Sequence, residues 1–153
     1  MASHLEYKRG AFPSGGTGWV LPELLQDAWR DSTLLQRAWK NWIAFGIAQE
    51  DYLATQPNVQ FAVFGEWHPD TERKILMGGI CLAPSWDPQV GDCLVAIHNF
   101  ITPAARGSSM VQRKLIRLAL AEAADMGLRW LLISRTRPDG LQFTTYKEVK
   151  QHG

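Results

Sequence analysis

Three patterns between Cys93 and Ser134 constrain this chain more than anything else in it. Cys93 to Ile101 is a short apolar run of strand character, Leu115 to Met126 carries apolar residues at helical spacing, and Trp130 to Ser134 is short and apolar again. In the helical part Leu115, Ile116, Ala119, Leu120 and Ala123 form one stripe, while Arg113, Arg117 and Asp125 turn outward. Gly127 follows as a left-handed stop. Two strands joined by such a crossover helix pair in parallel, with a right-handed connection. Any sheet in this protein is built around that unit.

The remaining segments extend it. LEYKRGAF reads as a short edge strand and PSGGTG as a connector of turn formers. From Pro22 to about Thr55 the apolar spacing is helical, and Asp31 and Ser32 offer caps near the middle, so two consecutive helices are expected. Pro57 and Asn58 end that segment. Val59 to Phe64 and Lys74 to Leu82 are β-branched and apolar, separated by the turn sequence HPDTE. A second turn is expected at PSWDPQVGD and a last strand at QFTTYKEVK. The expected class is α/β, a mixed and mostly antiparallel sheet with one parallel strand-helix-strand unit, flanked by helices. The 153 residues, 46% of them apolar and seven of them Trp, suffice for one such domain, residues 1–153.

A net charge of +1 removes the electrostatic footprint of a duplex-binding protein, so no nucleic-acid partner is expected. No apolar run approaches the ~20 residues of a membrane-spanning helix, and MASHLEYKRG lacks the apolar core of a secretory signal. A cytoplasmic protein is expected. Cys81 and Cys93 flank a turn near Asp87 that would set them roughly opposite each other; buried, reduced thiols are the expected state, with a cross-strand disulfide as the alternative. His4, His68, His98 and His152 show no ligand spacing, so no metal is expected.

The stretch TPAARGSSMVQRKL, from Thr102, joins the strand to the helix. A helix that begins there offers its first backbone N–H groups to an anion. From Cys93 through Ala121 there is no Asp or Glu, while Arg106, Arg113, Lys114 and Arg117 fall within the window. Cations near a helix N-terminus oppose its dipole, at ~0.3–1 kcal/mol each. A sequence serving helix stability alone would place acids there. Gly107 permits close backbone approach, and Ser108 and Ser109 bring hydroxyls that serve equally as ligands or caps.

The run LVAIHNFITPAARGSSMVQRKLIRLALAEAADMGLRWLLIS resembles the central motif of the GNAT superfamily of acyl-CoA-dependent N-acyltransferases. The family's loop pattern is Arg or Gln, two residues, Gly, one residue, then Gly or Ala. Arg106 matches the first position, and counting onward puts Ser109 and Val111 at the two small ones; alignment on Leu115, Ile116 and Gly127 instead makes the loop one residue longer. The resemblance implies acetyl-CoA or another acyl-CoA as cofactor, bound at Ile101, Arg106, Gly107, Ser108, Ser109 and Met110, with its pyrophosphate on the last five. A β-branched Val111 is expected to crowd the phosphate. The resemblance also implies a strand carboxylate as base and a tyrosine as acid, and here the chain departs from it. His98 and Asn99 stand on the strand, and RTRPDGL is too short for the helix that would carry the tyrosine. His98 and Tyr146 are therefore the catalytic candidates, each with a purely structural reading beside it. Glu66 and His68 near a turn, and Trp29, Trp39 and Trp42 on the helices, are lesser candidates for facing a substrate.

Two functions follow. One is an acyltransferase acting on a small-molecule or protein amine. The other is a catalytically inactive GNAT-like structural or assembly protein, for example a component of a tailed-phage particle, virion-associated and engaged in a protein assembly or homo-oligomer.

Overall fold

A computed structural model describes residues 4–11, 22–56, 59–68, 72–107, 109–137 and 139–150. Its elements run β1 (His4–Ala11), α1 (Pro22–Asp31), α2 (Thr33–Ala38), α3 (Trp42–Ala54), β2 (Gln60–His68), β3 (Arg73–Asp87), β4 (Gly91–Ile101), a 3-10 turn (Pro103–Ala105), α4 (Ser109–Asp125), β5 (Trp130–Thr136) and β6 (Gln142–Glu148). The six strands form one sheet in sequence order, and every neighbouring pair is antiparallel except β4 and β5. This is the mixed α/β class expected, with its one parallel pair joined by α4.

The first helical segment breaks twice rather than once. Ser32 caps α2, its Oγ accepting the Leu35 N–H at 3.1 Å. Asn41 then caps α3, its Oδ1 accepting the Ala44 N–H at 2.8 Å. Asn is a strong capping residue, and a second such residue so soon makes three helices where apolar spacing alone reads two. On α4, Val111, Leu115, Ala119 and Ala123 are all fully buried at one-turn intervals. Gly127 stops the helix with φ +70°, as its position after the stripe requires.

The helices cover both faces of the sheet. Under α4, Val111, Leu115 and Ala119 pack with Ile80, Leu82, Leu94, Ala96 and Leu131. On the opposite face Leu53 of α3 packs with Val59, Cys81, Ala83 and Ile97. Both cysteines are buried and free, and the register separates them, with Cys81 opposite His98 and Cys93 opposite Ser85. The hairpin turns at residues 88–90, beyond the Asp87 centre that would have aligned them, and β4 carries a bulge. Burial pushes the Cys81 thiol up to about 12. Burial, followed by the nearby Asp87 and Asp92 carboxylates, raises that of Cys93. Among the described residues, no helix is long and apolar enough to cross a membrane, and no group of His, Cys, Asp and Glu is arranged to hold a metal ion.

Candidate functional site

The site begins where β4 and β5 part. Parallel pairing covers only Leu94, Ala96 and the residue between them, against Leu131 to Ile133, although β4 runs on to Ile101 and β5 to Thr136. Past Ala96 the β4–β5 pairing ends, and among the described residues β3 is the one strand still paired with β4. The break coincides with a bulge. Cys81 pairs with His98 and Leu82 with Ala96, so Ile97 is the extra residue on β4. An extra residue shifts the side-chain alternation by one, and both Ile97 and His98 consequently face the α3 side.

The loop after β4 is short and tied down. Thr102 is buried, and both its N–H (2.9 Å) and its Oγ1 (3.2 Å) donate to the Met77 carbonyl of β3. A single 3-10 turn follows, with the Ala105 N–H donating to Thr102 O at 2.9 Å, and α4 starts at Ser109. By helix geometry the first-turn amides of Ser109, Met110 and Val111 point back toward this loop. Val111 does not crowd them. Its side chain is fully buried, turned inward onto β3, where a Cβ at Gly78 would lie 3.3 Å from it and 2.9 Å from the Phe100 carbonyl. Gly78 is thus the residue that lets α4 and β4 approach β3 closely. Gly107 is exposed, and a Cβ there would meet nothing within 4 Å. The approach to the α4 N-terminus is open on that side.

Arg106 is already engaged. Its Nε donates to Ile101 O at 3.1 Å, its guanidinium carbon sits 5.3 Å from the Phe100 ring centroid, and its Nη1 pairs with the Asp31 carboxylate at the end of α1. The corner therefore gathers Ile101, Arg106, Gly107, Ser109 and Met110, with Met110 exposed and Ile101 packed on the core under α4. Ser108 lies outside the described residues, as does the side chain of Ser109.

His98 lies three residues before Ile101, on the opposite face. Its Nε2 is 2.6 Å from Gln49 Oε1 of α3, and its ring meets the Phe45 ring edge-on at 6.3 Å. Burial pushes its pKa down to about 4, so the imidazole is neutral at pH 7. Tyr146 is not brought to it. The Tyr146 hydroxyl donates to Asp87 Oδ2 at 3.0 Å and accepts from Gln89 at 3.1 Å, fastening β6 to the β3–β4 turn. That hydrogen bond to Asp87, followed by desolvation, raises the phenol pKa. Trp29, Trp39 and Trp42 are half-buried, Trp39 lying 6.2 Å from Phe45. The side chains of Glu66 and His68 are outside the described residues.

Several contributors escaped the sequence reading. The paired Gly78 and Gly79 within a strand were a usable signal of close approach. Nothing local marks Asp31 as the partner of Arg106, or Gln49 as the partner of His98.

No family model matches the chain, and no curated protein matches it. Solved structures do. One is described as "Putative acetyl transferase from Pyrococcus furiosus", at TM-score 0.56 and 15% identity, covering 88% of this chain and 85% of that one. Another is AAC(6')-Iy in complex with the bisubstrate analogue CoA-S-monomethyl-acetylneamine, at TM-score 0.51 and 14% identity, covering 89% of this chain and 82% of that one. At such identities the likeness carries the architecture and not the chemistry, and the architecture of this chain is the GNAT-like fold.

Proposed function

We propose that this protein is an acyl-CoA-dependent N-acyltransferase. The observation that carries the reading is the early end of β4–β5 pairing, with the α4 N-terminus and an open Gly107 beside it. The residues present fit such a cofactor. First-turn amides of α4 and the Arg106 charge would hold its pyrophosphate, and the unpaired edge of Ile97 to Ile101 would take the pantetheine arm. When bound, the group would supply a thioester, whose C–S bond would break as the amine forms a C–N bond.

What the chain contributes is mostly placement of an amine against that carbonyl. The amine's proton passes to the neutral His98 imidazole, a weak base at its lowered pKa, and the departing sulfur is protonated from solvent. Tyr146, with its proton committed to Asp87, holds the sheet together. The acceptor is a small-molecule or protein amine, and the setting is cytoplasmic.

A second reading has its own observation. Ile43 and Ile47, one turn apart on α3, are 54% and 58% exposed, and Leu34 and Tyr52 are exposed as well. Apolar surface of this kind suits a protein partner or a second copy, as in an inactive assembly protein of a tailed-phage particle.

Titration calorimetry with acetyl-CoA and desulfo-CoA separates the two. Micromolar heat with both ligands is expected, falling about tenfold or more, on the order of 1.4 kcal/mol, in Arg106→Ala and in Gly107→Val. The glycine variant leaves the fold alone, since no atom stands within 4 Å of its Cβ position. No heat at high ligand concentration would overturn the transferase reading and leave the assembly one.

A further inference from the structure

β6 is the last strand of the sheet, and its register with β5 runs from Gln142 to Glu148 without a shift. Just beyond the two ends of this ladder, the Val149 N–H donates to Arg129 O at 2.7 Å and the Arg137 N–H donates to Leu141 O at 2.8 Å. Hydrogen-bonded and open pairs alternate along an antiparallel ladder, so it is the odd-numbered residues of β6 that bond to β5. The N–H and C=O groups of Gln142, Thr144, Tyr146 and Glu148 point the other way, and no further strand among the described residues pairs with them.

Such an edge is usually guarded by charge, proline or a bulge. β1, at the opposite edge, has Glu6, Lys8 and Arg9 in its sequence. β6 has neither proline nor bulge, and Gln142 to Tyr146 are all uncharged. Beside them Leu141 and Phe143 are 55% and 52% exposed.

We infer that β6 pairs with β6 of a second copy of this chain, antiparallel about a two-fold axis at Thr145, joining two sheets into one. The strand's residues are centred on Thr145, and this register sets the outward groups of Gln142 against those of Glu148, and those of Thr144 against those of Tyr146. A slip in either direction leaves the ends unpaired. The side chains match in the same register. Phe143, Thr145 and Lys147 share the α4 side of the sheet, opposite Arg135, Ile133 and Leu131 of β5. Phe143 then meets Lys147 of the second copy, an aromatic ring beside a cation, and Thr145 meets its own counterpart. The Arg137 guanidinium, 5.9 Å from the centroid of the same ring, has its charge met by Asp139. On the other side of the sheet Gln142 meets Glu148 and Thr144 meets Tyr146, so no like charges oppose each other. The pairing is independent of the acyltransferase reading.

Sedimentation velocity and disulfide trapping of the full chain test it. The wild type is expected to be a dimer at tens of micromolar. Thr144→Pro removes an outward N–H and leaves the β5 ladder whole, so it is expected to raise the dissociation constant about tenfold or more. Phe143→Lys, at an exposed position, sets a second cation against Lys147 and is expected to do the same, whereas Phe143→Glu is expected to dimerise. These two decide the matter should the proline variant not fold. Thr145→Cys stands on the axis, where paired Cα atoms lie ~4.5 Å apart, and is expected to give a disulfide-linked dimer on mild oxidation. Gln142→Cys, set against Glu148, is not. Cys81 and Cys93 are buried and add no background. A monomeric wild type would overturn the proposal and leave the edge to an extended segment of another protein. A dimer that survives both Thr144→Pro and Phe143→Lys, or equal trapping in Thr145→Cys and Gln142→Cys, would overturn it as well.

Discussion

Over Leu94 to Ala96, β4 has β3 on one side and β5 on the other, and Cys93, Leu94 and Ala96 are buried. Over Ile97 to Ile101 its one paired strand among the described residues is β3, the stretch begins with a bulge, and none of the residues is fully buried. One strand thus carries two environments. In the first, the strand is paired on both edges and the side chains are apolar. In the second, a histidine and an asparagine stand among Ile97, Phe100 and Ile101, and one edge of the strand has no paired strand among the described residues. The difference is that between a stretch that holds the fold and a stretch for which the fold makes room.

The comparison is broken most severely by removing an anchor from the first half. Leu94 is fully buried between Ile80, Leu131 and the α4 stripe. Leu94→Ala is expected to cost ~2–5 kcal/mol in denaturant unfolding, because transfer and cavity terms add. In the second half Asn99 Oδ1 is buried without a hydrogen-bond partner. Asn99→Leu is therefore expected to leave stability unchanged or to raise it. A large loss in Asn99→Leu would show that the two halves are packed alike.

Next in size is the pH response of His98. Its folded pKa is about 4, against an ordinary value of 6.5. As pH falls below 6.5 the unfolded chain takes up the proton first, so stability declines with falling pH through this window and levels off below about 4. The shift corresponds to at most about 3 kcal/mol, and His98→Gln should flatten the slope. A variant with the same pH dependence as the wild type would mean that another group carries it.

These two halves were unequally legible in the sequence. The strand-helix-strand unit follows from periodicity alone, because Leu115, Ala119 and Ala123 can share a face only on a helix, and Gly127 marks its end. The corner between β4 and α4 was legible as a place where chain becomes helix, with no acid and several basic residues around Arg106. The bulge was not. Whether Ile97 is counted in or out of the register depends on β5 leaving and α3 arriving, and neither is written near residue 97. The same blindness set Val111 wrongly in the path of a phosphate. Spacing from Arg106 put it in the loop, whereas its own helical phase with Leu115 turns it into the core. Helix phase is the stronger constraint, since a buried side chain is held by packing and a loop position only by count.

The smallest expected effect lies at the edge of the second half. Asp31 ends α1 and Arg106 precedes α4, so a carboxylate stands at a helix C-terminus and a guanidinium at an N-terminus, each opposed by the local dipole. Their pairing offsets both mismatches. At 40% and 42% exposure the pair contributes little, under about 1 kcal/mol, and less in high salt. Asp31→Asn is therefore expected to unfold almost as the wild type does. Its effect should show in binding. Asp31 competes with an incoming diphosphate for the same guanidinium and repels it by charge, so the variant is expected to bind acetyl-CoA a few-fold more tightly, with a steeper loss of affinity as salt rises. Leu94→Ala should do the reverse, lowering stability while leaving the affinity of the folded protein unchanged. Weaker binding in Asp31→Asn would mean that Asp31 aims Arg106 at the loop, and that the ion pair belongs to the site and not to the helix that closes over it.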